Sequence, residues 1–150
     1  MSTKILVIIA LMLPLFTSCT QEVDFQLVTA ARAGDTTRIK TLLDSGADAN
    51  ATNRPGWTAL VYSAARGNSE AVHALLSAGA EVDRSNREAG RGLTPLTYAA
   101  RGGHVITARI LLEAGADASA DRGGMTPLKM ATSRDQTSMV QLLQEAGARE

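Results

Sequence analysis

The stretch "GLTPLTYAARGGHVITARILLEAGADASA", Gly92 to Ala120, carries start and stop signals for two short helices in succession. Thr94 is an N-cap residue whose hydroxyl can accept from a free first-turn amide, and Pro95 sits where a missing N–H costs nothing. Ala99 and Ala100 give this first helix a thin side that a neighbour can approach closely. Gly103 can take the positive φ that ends it. His104 then offers a polar side chain where a second helix begins, and the apolar run around Leu111 closes at Gly115.

Three more blocks lie over this one without gaps: "FQLVTAARAGDTTRIKTLLDSGAD" (25–48), "TALVYSAARGNSEAVHALLSAGAE" (58–81) and "TPLKMATSRDQTSMVQLLQEAGAR" (126–149), with "TPLTYAARGGHVITARILLEAGAD" at 94–117. Their starts are 33, 36 and 32 residues apart, a period that signals a solenoid. The third position is always Leu (Leu27, Leu60, Leu96, Leu128), the eighteenth is Leu (Leu42, Leu75, Leu111, Leu143), and the twenty-second is Gly (Gly46, Gly79, Gly115, Gly147). Apolar residues such as Ile39/Leu42/Leu43 and Val72/Leu75/Leu76 form an i, i+3, i+4 stripe on each second helix. No block can bury that stripe alone, so the stack must be cooperative. The composition agrees: two Phe, two Tyr and one Trp in 150 residues suit thin helical layers rather than a large aromatic core.

These residues resemble the ankyrin repeat, and the resemblance spans essentially all of residues 22–150. It implies an all-α ankyrin-repeat solenoid of helix-turn-helix units with short β-hairpin-like fingers, in four repeats at about 24–51, 52–84, 85–121 and 122–150. The sequence departs from the family pattern in places. The family's His after T-P-L is replaced by Val61, Thr97 or Lys129, block one lacks the T-P opening, and Asp135 stands where Gly is expected. Terminal repeats are expected to be atypical, with polar outer faces. The connection 82–93 is longer than that at 49–57, which points to a longer finger.

The N-terminus is of different material. Lys4 precedes "ILVIIALMLPLF" (Ile5 to Phe16), an uncharged run shorter than the roughly 20 apolar residues of a membrane-spanning helix. It has the length and flank of a secretory signal peptide. The following "FTSC" (Phe16 to Cys19) resembles the lipobox of bacterial lipoproteins, with Phe16 where Leu is usual. That resemblance implies a signal peptide at 1–18, lipidation of Cys19 and a short tether at 19–23. With Thr20 after the cysteine it also implies an outer-membrane lipid anchor facing the periplasm. A soluble periplasmic or secreted protein remains the alternative.

No constellation for chemistry stands out. One cysteine excludes an internal disulfide and a multi-thiolate metal site. "GRG" (90–92) and "GG" (123–124) lack the rest of a phosphate loop. "DSGADAN" (44–50) lacks the order of a calcium loop, and His73 and His104 lie a repeat apart. No cofactor, metal site or small-molecule substrate is expected. Asp48, Asp83, Asp117 and Asp121 read as turn formers. Fifteen basic and fifteen acidic residues give no bulk charge for nucleic acid.

The family's contact positions are the fingers and the exposed ends of the first helices. Carried over, they are Arg54, Pro55, Trp57, Arg91, Leu93, Arg122 and Met125 on the fingers, with Arg32, Arg66, Arg101 and Arg134 at the helix ends. The resemblance thus implies a column of arginines beside a Trp/Leu/Met stripe, which matches a protein partner with an acidic, partly apolar surface. The expectation is a non-catalytic, membrane-tethered interaction module, an accessory or inhibitory partner of a periplasmic or secreted enzyme, or else a structural envelope component.

Overall fold

The computed structural model describes residues 20–53, 55–86 and 92–149. Eight helices run through them: α1 over residues 20–33, then α2 (Thr36–Asp44), α3 (Ala59–Arg66), α4 (Ser69–Ser77), α5 (Pro95–Gly102), α6 (Val105–Glu113), α7 (Pro127–Thr132) and α8 (Thr137–Glu145). Consecutive helices pair, and the pairs stack. The first helices α3, α5 and α7 pack in one row, and the second helices α2, α4, α6 and α8 in another. Residues 20–23, expected as a tether, instead form the opening turn of α1. Four helical residues advance only about 6 Å, so the packed body begins closer to Cys19 than an extended spacer would put it. Residues 1–19 lie outside the described residues.

The local signals act as their chemistry requires. The hydroxyls of Thr58, Thr94 and Thr126 accept from the N–H groups of Val61, Thr97 and Lys129 at 3.1, 3.3 and 3.2 Å. Between the paired helices the chain turns through one left-handed residue: Gly34, Gly67 and Gly103 at φ +83°, +69° and +71°, and Asp135 at +55°. Asp is one of the few side chains that tolerate this conformation, so the fourth pair keeps the turn its neighbours make with Gly. In every pair the next N–H donates back to the first helix: Asp35 to Ala30, Asn68 to Ser63, His104 to Ala99 and Gln136 to Ala131, all at 2.9–3.1 Å.

The core is a column of leucines and small residues shared by neighbouring pairs. Leu60, Leu96, Leu75, Leu111 and Leu143 are at most 1% exposed. The sixth block position faces the adjoining first helix and is Ala30, Ser63, Ala99 and Ala131, each at most 3% exposed. Small residues there let α3, α5 and α7 approach closely. Helix α8 turns Thr137, Ser138, Gln141 and Gln144 to solvent.

Two polar ladders join one pair to the next. The residue that opens each second helix reaches back to the preceding pair. Asn68 Nδ2 donates to Thr36 Oγ1 at 2.8 Å, and His104 Nε2 lies 3.2 Å from the Ala65 carbonyl. The Gln136 amide meets the end of α5: one way round it donates to the Arg101 carbonyl, the other way to Ala100 while accepting from the Gly103 N–H. Further along, carboxylate or amide oxygens receive the N–H just past α2, α4 and α6. Asp24 accepts from Asp48 at 2.8 Å, Asn50 from Glu81 at 2.8 Å, and Asp83 from Asp117 at 3.2 Å. Asp24, on α1, thereby does for the first pair what Asn50 and Asp83 do for the later ones. Asp48, Asp117 and Asp121 form local turns, accepting from Asn50, Ser119 and Gly124. Asp83 is a bridge between pairs.

Among the described residues two buried polar atoms lack a partner, the Asn86 side-chain oxygen in the second finger and, between the first helices, the Ser63 hydroxyl, on a residue 1% exposed. A buried unsatisfied hydroxyl is costly, and the three other pairs carry Ala at this position. Ser63→Ala should therefore raise the unfolding free energy by about 1 kcal/mol, seen as a higher midpoint in urea at unchanged slope; a lower midpoint would show that the hydroxyl is satisfied.

Candidate functional site

The first finger is a tight turn organised by Asn53. Its N–H donates to the Trp57 carbonyl at 3.1 Å and its carbonyl accepts from Gly56 at 2.8 Å. Its side-chain oxygen accepts from the Trp57 N–H at 2.9 Å, and Thr52 and Thr58 form an antiparallel bridge across the turn. The remaining amide hydrogens of Asn53 reach the Tyr62 hydroxyl at 2.9 Å. Asn86 repeats this contact in the second finger, donating to the Tyr98 hydroxyl at 3.0 Å. Each finger base is thus tied to the tyrosine at the fifth position of the following helix pair.

Trp57 closes this aromatic cluster. Its ring stacks on Tyr62 at a centroid distance of 4.8 Å and meets Tyr98 at 5.0 Å, tilted by 45°. It is half-buried. The side chain expected as an exposed anchor therefore spends much of its ring surface holding finger one against two first helices. Leu93 is a plain correction: it is 7% exposed and part of the packed core, so it offers almost no area to a partner. Met125 is half-buried, while Arg122 is exposed. Arg54, Arg91 and Cys19 lie outside the described residues.

The arginines at the helix ends are all exposed. Arg32 and Arg101 occupy the eighth block position; Arg66 and Arg134 occupy the ninth. The charge therefore steps by one helical residue between successive pairs. Arg66 leans back over the preceding pair, its Cδ 3.8 Å from where a Cβ on Gly34 would stand. The ion pairs among the described residues are Lys40–Glu70 at 2.5 Å and Arg84–Glu81 at 3.1 Å, and neither uses this row. Among the described residues, the four cations are presented to solvent without carboxylates of their own. Beside them Ala65, Tyr98, Arg101, Gly102 and Arg134 enclose an open recess of about 300 Å³.

Sequence reasoning missed Tyr62, Tyr98, Asn53 and Asn86. The signal was present: both tyrosines share the fifth block position and both asparagines the twenty-ninth, counted from each block start. Nothing in one chain shows that a side chain from the finger will lie across two helices. Among the described residues, no three His, Cys, Asp or Glu side chains are grouped to hold a metal ion, and no helix is long and apolar enough to cross a membrane.

Stacked helix pairs with projecting fingers and no chemical constellation among the described residues define a repeat scaffold that presents surface. A family model described as "Ankyrin repeats (3 copies)" matches residues 16–86 and again residues 84–149, and the chain belongs to the ankyrin repeat family. Such repeats indicate a protein–protein interaction module, typically non-catalytic. The comparison with curated proteins returned no match.

Removing the Trp57 ring should uncouple the finger from the helices. Trp57→Ala is expected to lower stability by about 2 kcal/mol, from lost burial and aromatic contact, measured by circular dichroism melting. An unchanged melting curve would return Trp57 to the role of a free contact residue.

Proposed function

We propose that this chain is a tethered, non-catalytic binding module of four ankyrin repeats, one per helix pair, that captures a protein with an acidic, partly apolar surface. The observation that carries this reading is the row of exposed arginines, unpaired among the described residues, beside the Trp57–Tyr62–Tyr98 cluster. A guanidinium presents a rigid fork matched to carboxylates, and Arg beside aromatic rings is the composition of binding hot spots. Because the chain as a whole is neutral, the charge that selects the partner is local to this face.

The tether rests on the N-terminal sequence. An uncharged run, Ile5 to Phe16, followed by Thr17, Ser18 and Cys19 supports export, cleavage before Cys19 and lipidation of its thiol. The anchor would be in the outer membrane, facing the periplasm. Stable anchoring needs more than one acyl chain, which the diacylglycerol thioether of that class of lipoprotein would supply. In this setting an accessory or inhibitory partner of a periplasmic or secreted enzyme is the role that fits best.

Two experiments test the two halves. Reversing the row in Arg66→Glu/Arg101→Glu/Arg134→Glu should abolish crosslinking to the partner recovered with the intact chain, by at least about tenfold, with melting unchanged; undiminished capture would sink the binding face. Separately, Cys19→Ser should block incorporation of labelled palmitate and leave an uncleaved or mislocalised product. If that variant matures and fractionates as the parent does, the chain is not a lipoprotein.

A further inference from the structure

The recess at the middle of the arginine row opens beside small residues of two neighbouring first helices. The eighth and ninth positions are Arg32–Ala33, Ala65–Arg66, Arg101–Gly102 and Ser133–Arg134. Where α3 meets α5, Ala65 presents only a methyl group. Where α5 meets α7, Gly102 presents no side chain, and the His104 ring fills the place its Cβ would take. The space left open is about 300 Å³, bounded by Ala65 and Gly102, Tyr98, Arg101 and Arg134. No carboxylate is among these lining residues. Arg101 and Arg134 come from successive pairs and from different block positions, so the stagger brings two arginine side chains to one recess. The His104 ring keeps its second wall in place, since its Nε2 lies 3.2 Å from the Ala65 carbonyl.

Building on the binding-module reading, the geometry points to a carboxylate subsite: the recess takes a Glu or Asp side chain of an extended segment of the partner, held between Arg101 and Arg134, with an adjacent apolar side chain on the Tyr98 ring. Two arginines lining one opening can both donate to a single carboxylate. Ala65 and the Tyr98 ring give the opening an apolar wall beside the two arginines. The volume lies at the small end of ligand pockets, which fits a side chain or two on a polypeptide. Arg66 and Arg32, further along the row, would steer the acidic segment without entering the recess.

The probe is a fluorescein-labelled, Gly-Ser-flanked peptide with the core Glu-Phe-Glu, read by anisotropy against the full chain in detergent, with the Gln-Phe-Gln peptide as its isostere. The expected result is saturable binding of the acidic peptide and at least about tenfold weaker binding of the amide peptide. Ala65→Leu, which fills the recess and keeps every charge, should weaken the acidic peptide by a similar factor. Arg101→Gln/Arg134→Gln should do the same through charge, and being exposed should leave the fold intact if Ala65→Leu disturbs it. Arg32→Gln should leave affinity within about twofold, because it acts only at long range. Equal binding of both peptides, no binding at millimolar concentration, or wild-type affinity in the double arginine variant each overturns the subsite. Displacement by inorganic phosphate where equal acetate has no effect would overturn the carboxylate assignment. A chain that ignores the peptide yet still captures its partner through the arginine row keeps the module reading and loses only this one.

Discussion

Each helix pair leaves an unfinished surface that only the next pair completes. Its leucines have neighbours on one side, and the carbonyls at the end of its first helix need donors from beyond the pair. Both needs are met by the same event, the docking of the following pair. Leu96 and Leu111 then fall to 0% exposure, while His104 and the Gln136 amide cover the ends of α3 and α5. Apolar burial supplies most of the driving force, and the polar ladders fix the register, because an unpaired buried group is costly. A stack built this way is stable only as a stack.

That constraint reaches the binding face. First helices must approach closely, so their facing positions are Ala or Ser, and their outward positions are free of packing duty. The arginines stand on those free positions. The aromatic cluster is the exception that joins scaffold to surface: Trp57 uses its ring to fix a finger, and Tyr62 and Tyr98 spend their hydroxyls on Asn53 and Asn86. A rigid finger lowers the ordering cost of binding, so the half-burial of Trp57 serves recognition even where the ring itself is not the contact.

The first and fourth pairs keep the geometry of the repeat with different residues. Asp24 on α1 caps the Asp48 N–H as Asn50 and Asp83 cap theirs. Asp135 makes with a carboxylate-bearing residue the left-handed turn that Gly34, Gly67 and Gly103 make elsewhere. The departures from the repeat are substitutions that keep the backbone geometry while changing which face meets water.

What could be read from the chain alone was whatever is local and periodic. Thr–Pro caps, turn glycines and leucines at fixed positions each act within a few residues, and repetition at nearly constant spacing multiplies their signal. Hence the helices, their pairing and the solenoid were legible, as was the row of arginines, whose block positions place them at helix ends. What required the tertiary structure was contact between residues a full repeat apart: the burial of Leu93, the Trp57 stack across two helices, Asp83 as a bridge, and the recess beside Ala65 and Arg101. Those depend on how far each pair is displaced from the last. A one-dimensional pattern carries the period of that displacement, whereas its geometry arises only when the pairs pack.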